Sequence, residues 1–205
     1  MMQAQLVSSA LDEETARAEV YGLLAALFYA APSAELHGNL RVAVTEAPAA
    51  GAVLESSWQE LVAAARGQSL EDIGQEYDAL FGGVGKPELY LFGSHYLSGF
   101  LNEKPLAALR TDIAALGLTR DEAMPETEDH VAYLCEVMRY LIAGDDVEVA
   151  NLTRQREFFA RHVQPWVPLM CEGIMQHHKA RFYRALAAFT QAFISVESQG
   201  FDMLA

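Results

Sequence analysis

Apolar residues recur along this chain at helical spacing, and no segment alternates as a half-buried strand would. Val20, Leu23, Leu24, Leu27 and Phe28 form a first stripe. It follows the acidic run Asp12, Glu13 and Glu14, which predicts a helix opening near those carboxylates, where they would meet the positive pole of the helix dipole. Pro32 stops this helix and Ser33 is placed to cap the next. Residues 47–52 read as a connector, and a helix over 53–66 should end at Gly67. Ser69 with Asp72 three positions later has the form of a capping box ahead of Ile73, Tyr77, Leu80 and Phe81.

Further on, Pro105 suits the first turn of a helix ending near Gly117, and Pro125 suits the start of another. In that second helix Val131, Leu134, Cys135, Met138, Leu141 and Ile142 make a continuous buried stripe. Three more helices are predicted over about 147–162, 165–178 and 180–198, the last lined by Phe182, Leu186, Phe189 and Phe193. The pattern specifies an all-α chain, a single helical domain of about eight to ten helices. Composition agrees, since 33 Ala and 25 Leu stand against only 14 Gly and 7 Pro. A chain of 205 residues also buries enough surface to fold without metal or disulfides.

One region resists helical reading. Residues 82–99 hold five glycines and Pro87 among Leu89, Tyr90, Leu91, Phe92 and Tyr96. Long loops are usually polar, so an aromatic one points to function.

Charge narrows the partners. With 14 Lys and Arg against 28 Asp and Glu, the formal net charge of −14 repels a phosphate backbone, and no basic stripe offsets it. Nucleic acid is excluded on these grounds. Cys135 and Cys171 form neither a CxxC pair nor a disulfide framework, which places the chain in a reducing compartment, the cytoplasm. No basic n-region precedes the first apolar stretch. The longest uncharged run, residues 20–34, is shorter than the roughly 20 apolar residues a membrane anchor needs.

Catalytic signatures are absent from the sequence. Residues 82–87, Gly-Gly-Val-Gly-Lys-Pro, lack the first glycine and the final Ser or Thr of a phosphate loop and follow a helix, not a strand. Cys171, His162, His177 and His178 match no metal motif and read as core or helix-end residues, so no metal or cofactor is expected. Two clusters remain open to two readings each. Glu126, Glu128, Asp129 and His130 follow Pro125; they either complement a helix dipole or offer carboxylates to a guanidinium guest. Tyr77, Phe81, Tyr90, Phe92 and Tyr96 either close the core over a loop or line a groove for an apolar peptide. Rival functions are a small helical enzyme or nucleotide-binding protein using residues 82–85, and a helical subunit holding a folded partner.

Five motifs in register carry a resemblance. Glu76-Tyr77-x-x-Leu80-Phe81, Ser94-x-Tyr96-Leu97, Glu126-x-Glu128-Asp129-His130, His162-x-x-Pro165-Trp166 and Phe182-Tyr183-x-Ala185-Leu186 resemble the TorD/DmsD family of cytoplasmic chaperones for molybdenum oxidoreductases. Phe92 and Gly93 precede Ser94 where members commonly carry a proline. The resemblance implies an all-helical fold without enzymatic activity. The implied partner is the apo-form of a DMSO or TMAO reductase, or of a formate dehydrogenase, bound through its twin-arginine signal peptide and held from export until cofactor insertion. The resemblance also implies a chaperone that is a monomer or homodimer. By position, its peptide-binding residues fall on Glu76, Tyr77, Leu80, Phe81, Tyr90, Phe92, Ser94, Tyr96, Glu126, Asp129 and His130.

Overall fold

The computed structural model describes residues 2–45, 53–82, 86–101, 103–121 and 124–203, with side chains from residue 13 onward. Ten α-helices run through them: α1 (Met2–Tyr29), α2 (Ala34–Val42), α3 (Glu55–Gly67), α4 (Leu70–Phe81) and α5 (Gly93–Ser98). Then follow α6 (Lys104–Ala115), α7 (Val131–Ala143), α8 (Leu152–Phe158), a π-helical turn (Phe159–Val163), α9 (Val167–Gln176) and α10 (Phe182–Asp202). Among the described residues the only extended pairing is one antiparallel bridge, Phe92 to His130. The all-α expectation holds.

The helices form two compact units, the first made of residues 1–29 and 92–165, the second of 30–91 and 166–205. In the first unit α1 packs along α7. Tyr21, Leu24 and Phe28 are buried on one helix, Leu134, Met138 and Leu141 on the other. The approach is close because position 22 is glycine: a Cβ there would lie 3.2 Å from Cδ of Arg139. Buried Gln155 ties α8 to the pair, its Nε2 donating to the Leu141 carbonyl (3.0 Å) and its Oε1 accepting from Arg17 (3.2 Å).

In the second unit α10 packs against α3, α4 and α9. Its start poses a problem, because a helix leaves its first N–H groups without partners and Arg181, at the cap position, supplies no side-chain acceptor. Glu76 on α4 solves it. This buried carboxylate accepts from the backbone N–H groups of Arg181 (2.7 Å), Phe182 (3.1 Å) and Tyr183 (2.8 Å). The oxygens of Glu76, which the resemblance places among the peptide-binding residues, are committed to the start of the 21-residue α10.

Local signals fare unevenly. Ser33 caps α2 by accepting from Leu36, and Ser69 with Asp72 forms the full capping box on α4. Pro105 sits in the first turn of α6, and Gly117 beyond it adopts the left-handed φ of 72°. Four expectations are corrected. The first helix begins at Met2, not beside the acids, because good helix formers precede them and Glu13 and Glu14 simply face solvent. The 82–99 loop is shorter than read, since α5 occupies 93–98 and ends at left-handed Gly99 (φ 81°). Residues 124–130 are not helical: α7 starts only at Val131. The predicted 147–162 helix starts late, at Leu152, where Asn151 accepts from the Arg154 N–H, and it widens into the π turn after Phe158. The 47–52 connector and Gly83 to Gly85 lie outside the described residues.

Glu76→Ala leaves three N–H groups, two of them buried, without this acceptor, so we expect a loss of about 2–4 kcal/mol. Glu76→Gln, which keeps an acceptor, should cost less than half of that. Urea denaturation followed by circular dichroism measures both, and equal stability of all three proteins would contradict the capping role.

Candidate functional site

The candidate residues fall into two clusters, one in each unit. In the second unit, Tyr77 and Phe81 lie one helical turn apart on α4, with ring centroids 5.3 Å apart. Both pack on Tyr183 of α10, at 5.6 and 5.1 Å. Tyr183 is fully buried and its phenol is pushed above the usual range, first by burial and then by neighbouring Tyr77, Glu76 and Asp78. Tyr77, Phe81 and Tyr90 remain half-buried, so each keeps an accessible edge. Leu80 does not, being fully buried while its carbonyl accepts from the Leu89 N–H at 2.9 Å. Its role is packing. Tyr183 belongs to a quoted motif but was not among the predicted site residues; buried aromatics give no sequence signal that separates floor from core.

In the first unit a tight junction joins the start of α5 to the turn before α7. Asp129, only 3% exposed, accepts at Oδ2 from both the backbone N–H (2.9 Å) and the hydroxyl (2.5 Å) of Ser94. Its Oδ1 accepts from the Thr127 hydroxyl at 2.6 Å, and its main-chain carbonyl from Gly93 at 2.8 Å. Ser94 is fully buried in turn. The Asp129 carboxylate thus faces inward, Oδ2 onto α5 and Oδ1 onto Thr127. Thr127 was missed because a two-residue side-chain turn leaves no periodic trace.

His130 is the N-cap of α7, its Nδ1 accepting from the Ala132 N–H at 3.2 Å. With Nδ1 as acceptor, the proton of the neutral ring sits on Nε2. The ring meets Phe92 edge-on at 5.0 Å and Tyr29 at 6.4 Å. Burial drives its pKa down to about 4, against the opposing pull of Asp129. Glu128 is buried as well; burial would raise its carboxyl, but the Arg110 guanidinium, donating from two nitrogens at 3.0 and 2.8 Å, brings it below the usual value. No carboxylate occupies the first turn of α7, so the dipole reading of this acidic cluster is corrected too. Phe92, Tyr96 and Glu126 are half-buried, and Glu126 has no ion-pair or hydrogen-bond partner among the described residues.

The remaining candidates behave as core and surface groups. Cys171 is fully buried, its thiol pushed up to about 12 by burial. His162 in the π turn pairs with Asp112 at 2.6 Å, and its pKa is lowered by burial despite that partner. His177 and His178 stack at 4.8 Å beside Glu88 and Lys179, which pair at 2.8 Å. No group of three His, Cys, Asp or Glu among the described residues could hold a metal ion, and no described helix is long and apolar enough to cross a membrane.

His130 makes stability depend on pH with a definite sign. Its folded pKa lies below the unfolded value of 6.5, so its contribution is complete above pH 6.5 and is lost as pH falls toward about 4. The loss amounts to about 3 kcal/mol. His162 acts in the same direction. In His130→Asn, which keeps a capping side chain but cannot titrate, the stability decline between pH 6.5 and 4 should be visibly shallower than in the wild type. Parallel declines in urea midpoints would contradict the assignment.

A family model described as nitrate reductase delta subunit matches residues 47–172, well over half of the chain. A chaperone protein TorD of Vibrio cholerae is 29% identical over 112 residues, covering 52% of this chain and 51% of that protein. A chaperone protein TorD of Vibrio parahaemolyticus is 26% identical over 115 residues, covering 52% of this chain and 54% of that protein. The matched part thus spans about half the length of these curated relatives. Both clusters of candidate residues, from Glu76 to His130, lie inside the family match. With its all-helical architecture and five motifs in register, the chain belongs to the nitrate reductase delta subunit family, the family of TorD-like chaperones.

Proposed function

We propose that this protein is a maturation chaperone for a molybdenum oxidoreductase, acting in the cytoplasm. It binds the twin-arginine signal peptide of the apoenzyme and delays export until cofactor insertion and folding are complete. It performs no catalysis of its own. The client is a DMSO or TMAO reductase or a formate dehydrogenase.

The observation that carries this reading is the first-unit cluster. Half-buried Phe92 and Tyr96 stand on either side of the junction residue Ser94, and the same acidic turn that supplies Asp129 carries Glu126 with no described partner. A twin-arginine peptide offers guanidinium groups followed by an apolar stretch, so its receptor needs an available carboxylate and aromatic edges. Within the second unit, taken by itself, Tyr77, Phe81 and Tyr90 keep half-buried edges of the same chemistry. The names of the Vibrio relatives support the chaperone role.

Calorimetric titration with a synthetic twin-arginine signal peptide tests the proposal. Binding should weaken as salt rises, because exposed charges steer the encounter. Glu126→Gln should reduce affinity by about three- to tenfold and flatten the salt dependence, while Phe92→Ala should reduce affinity by a similar factor without flattening it. Replacing both peptide arginines by glutamine should abolish most binding. No heat of binding with the wild-type protein, or equal binding of the glutamine peptide, would overturn the reading. Capture of a folded client lacking its signal peptide with undiminished affinity would favour the folded-partner function instead.

A further inference from the structure

We propose that Asp129 is a positioning residue: it supports peptide binding by building α5, not by pairing with the guest's cation. This inference rests on the peptide-binding reading above.

The inference comes from where the Asp129 acceptors point. An incoming guanidinium would need the two carboxylate oxygens open in a fork. In Asp129 one oxygen already accepts twice from Ser94, the other accepts from Thr127, and the residue is 3% exposed. Reaching a guest would mean opening this buried junction, in which both oxygens already hold donors. Meanwhile α5 cannot stand without them. It is six residues long, far below the length at which an isolated helix is stable, and its own N-cap residue, Phe92, provides no side-chain bond. Its first N–H groups are satisfied by the carbonyl and carboxylate of Asp129 instead. The Phe92–His130 bridge closes the same junction from the neighbouring residues. Asp129 therefore determines where Phe92 and Tyr96 sit, one on each side of Ser94.

The two roles predict opposite behaviour when the partner of the carboxylate is removed. Ser94→Ala leaves the Asp129 charge and the backbone N–H bond to Oδ2 intact and removes the hydroxyl bond. If Asp129 positions α5, this variant should bind the signal peptide about tenfold more weakly, with the same salt dependence as the wild type. Asp129→Asn keeps an acceptor for Ser94 while removing the charge, and should stay within about threefold of wild type with unchanged salt dependence. Amide hydrogen exchange in α5 should quicken in Ser94→Ala and stay near the wild-type rate in Asp129→Asn. The inference is overturned if Ser94→Ala binds as well as or better than wild type while Asp129→Asn loses tenfold and flattens the salt dependence. Both variants preserve most of the junction, so the comparison does not depend on the harsher Asp129→Ala remaining folded. Failure of the wild-type protein to bind the peptide would instead remove the reading on which the inference rests.

Discussion

The first N–H groups of every helix must find an acceptor, and in this protein α5 and α10 find one in a different segment of the chain. Glu76 of α4 caps α10 and Asp129 of the pre-α7 turn caps α5, while His130 beside it caps its own helix, α7, with a ring nitrogen. Each of the two distant caps does two jobs. It satisfies buried polar groups and it fixes the place of one element against another. In the second unit the Glu76 bonds hold Tyr183 where Tyr77 and Phe81 stack on it. In the first, consecutive residues 129 and 130 set the starts of two helices and trap Phe92 between them.

This arrangement explains why the His130 ring stays neutral. A cap must accept, and a protonated imidazole has no acceptor to give. Burial against Phe92 and Tyr29 keeps the proton off Nδ1 and outweighs the opposing pull of Asp129. The paired residues that look in sequence like an acid and a base are in space two acceptors serving two helices.

Local chemistry made much of the fold legible in the sequence. Ser33, Ser69 with Asp72, and Pro105 act within a turn of their own positions, so the helices they open lie where spacing put them. The buried stripe of α7 is likewise complete, from Val131 to Ile142. Misreadings arise where the acceptor is distant. No spacing rule connects Glu76 to Arg181, 105 positions away, or Asp129 to Ser94, 35 away. Without those links Glu76 and Asp129 read as available carboxylates, α5 reads as loop, and Pro125 reads as a helix start. The sequence brings these residues forward as candidates, but it does not reveal the hydrogen bonds that tie Glu76 and Asp129 to distant helix starts. Leu80 and Ser94 show the same limit, since identity alone does not reveal which side chain on a functional segment faces inward.

The acidic excess has to be reconsidered in this light. A net charge of −14 draws cations from a distance whatever the detailed structure, because the summed field acts over several ångströms of screened solvent. Contact recognition is a separate requirement, and the buried acids are already engaged: Glu76 and Asp129 are held by internal donors, and Glu128 is forked by Arg110. Desolvating a carboxylate is costly unless donors surround it, and internal donors already surround these three. On the peptide-binding reading proposed above, the buried acids of the first unit, Glu128 and Asp129, set the shape of its cluster, while attraction of a cationic guest falls to half-buried Glu126 and to the field of the exposed carboxylates. Shape and charge are thus carried by different members of one short run of sequence, 126–130.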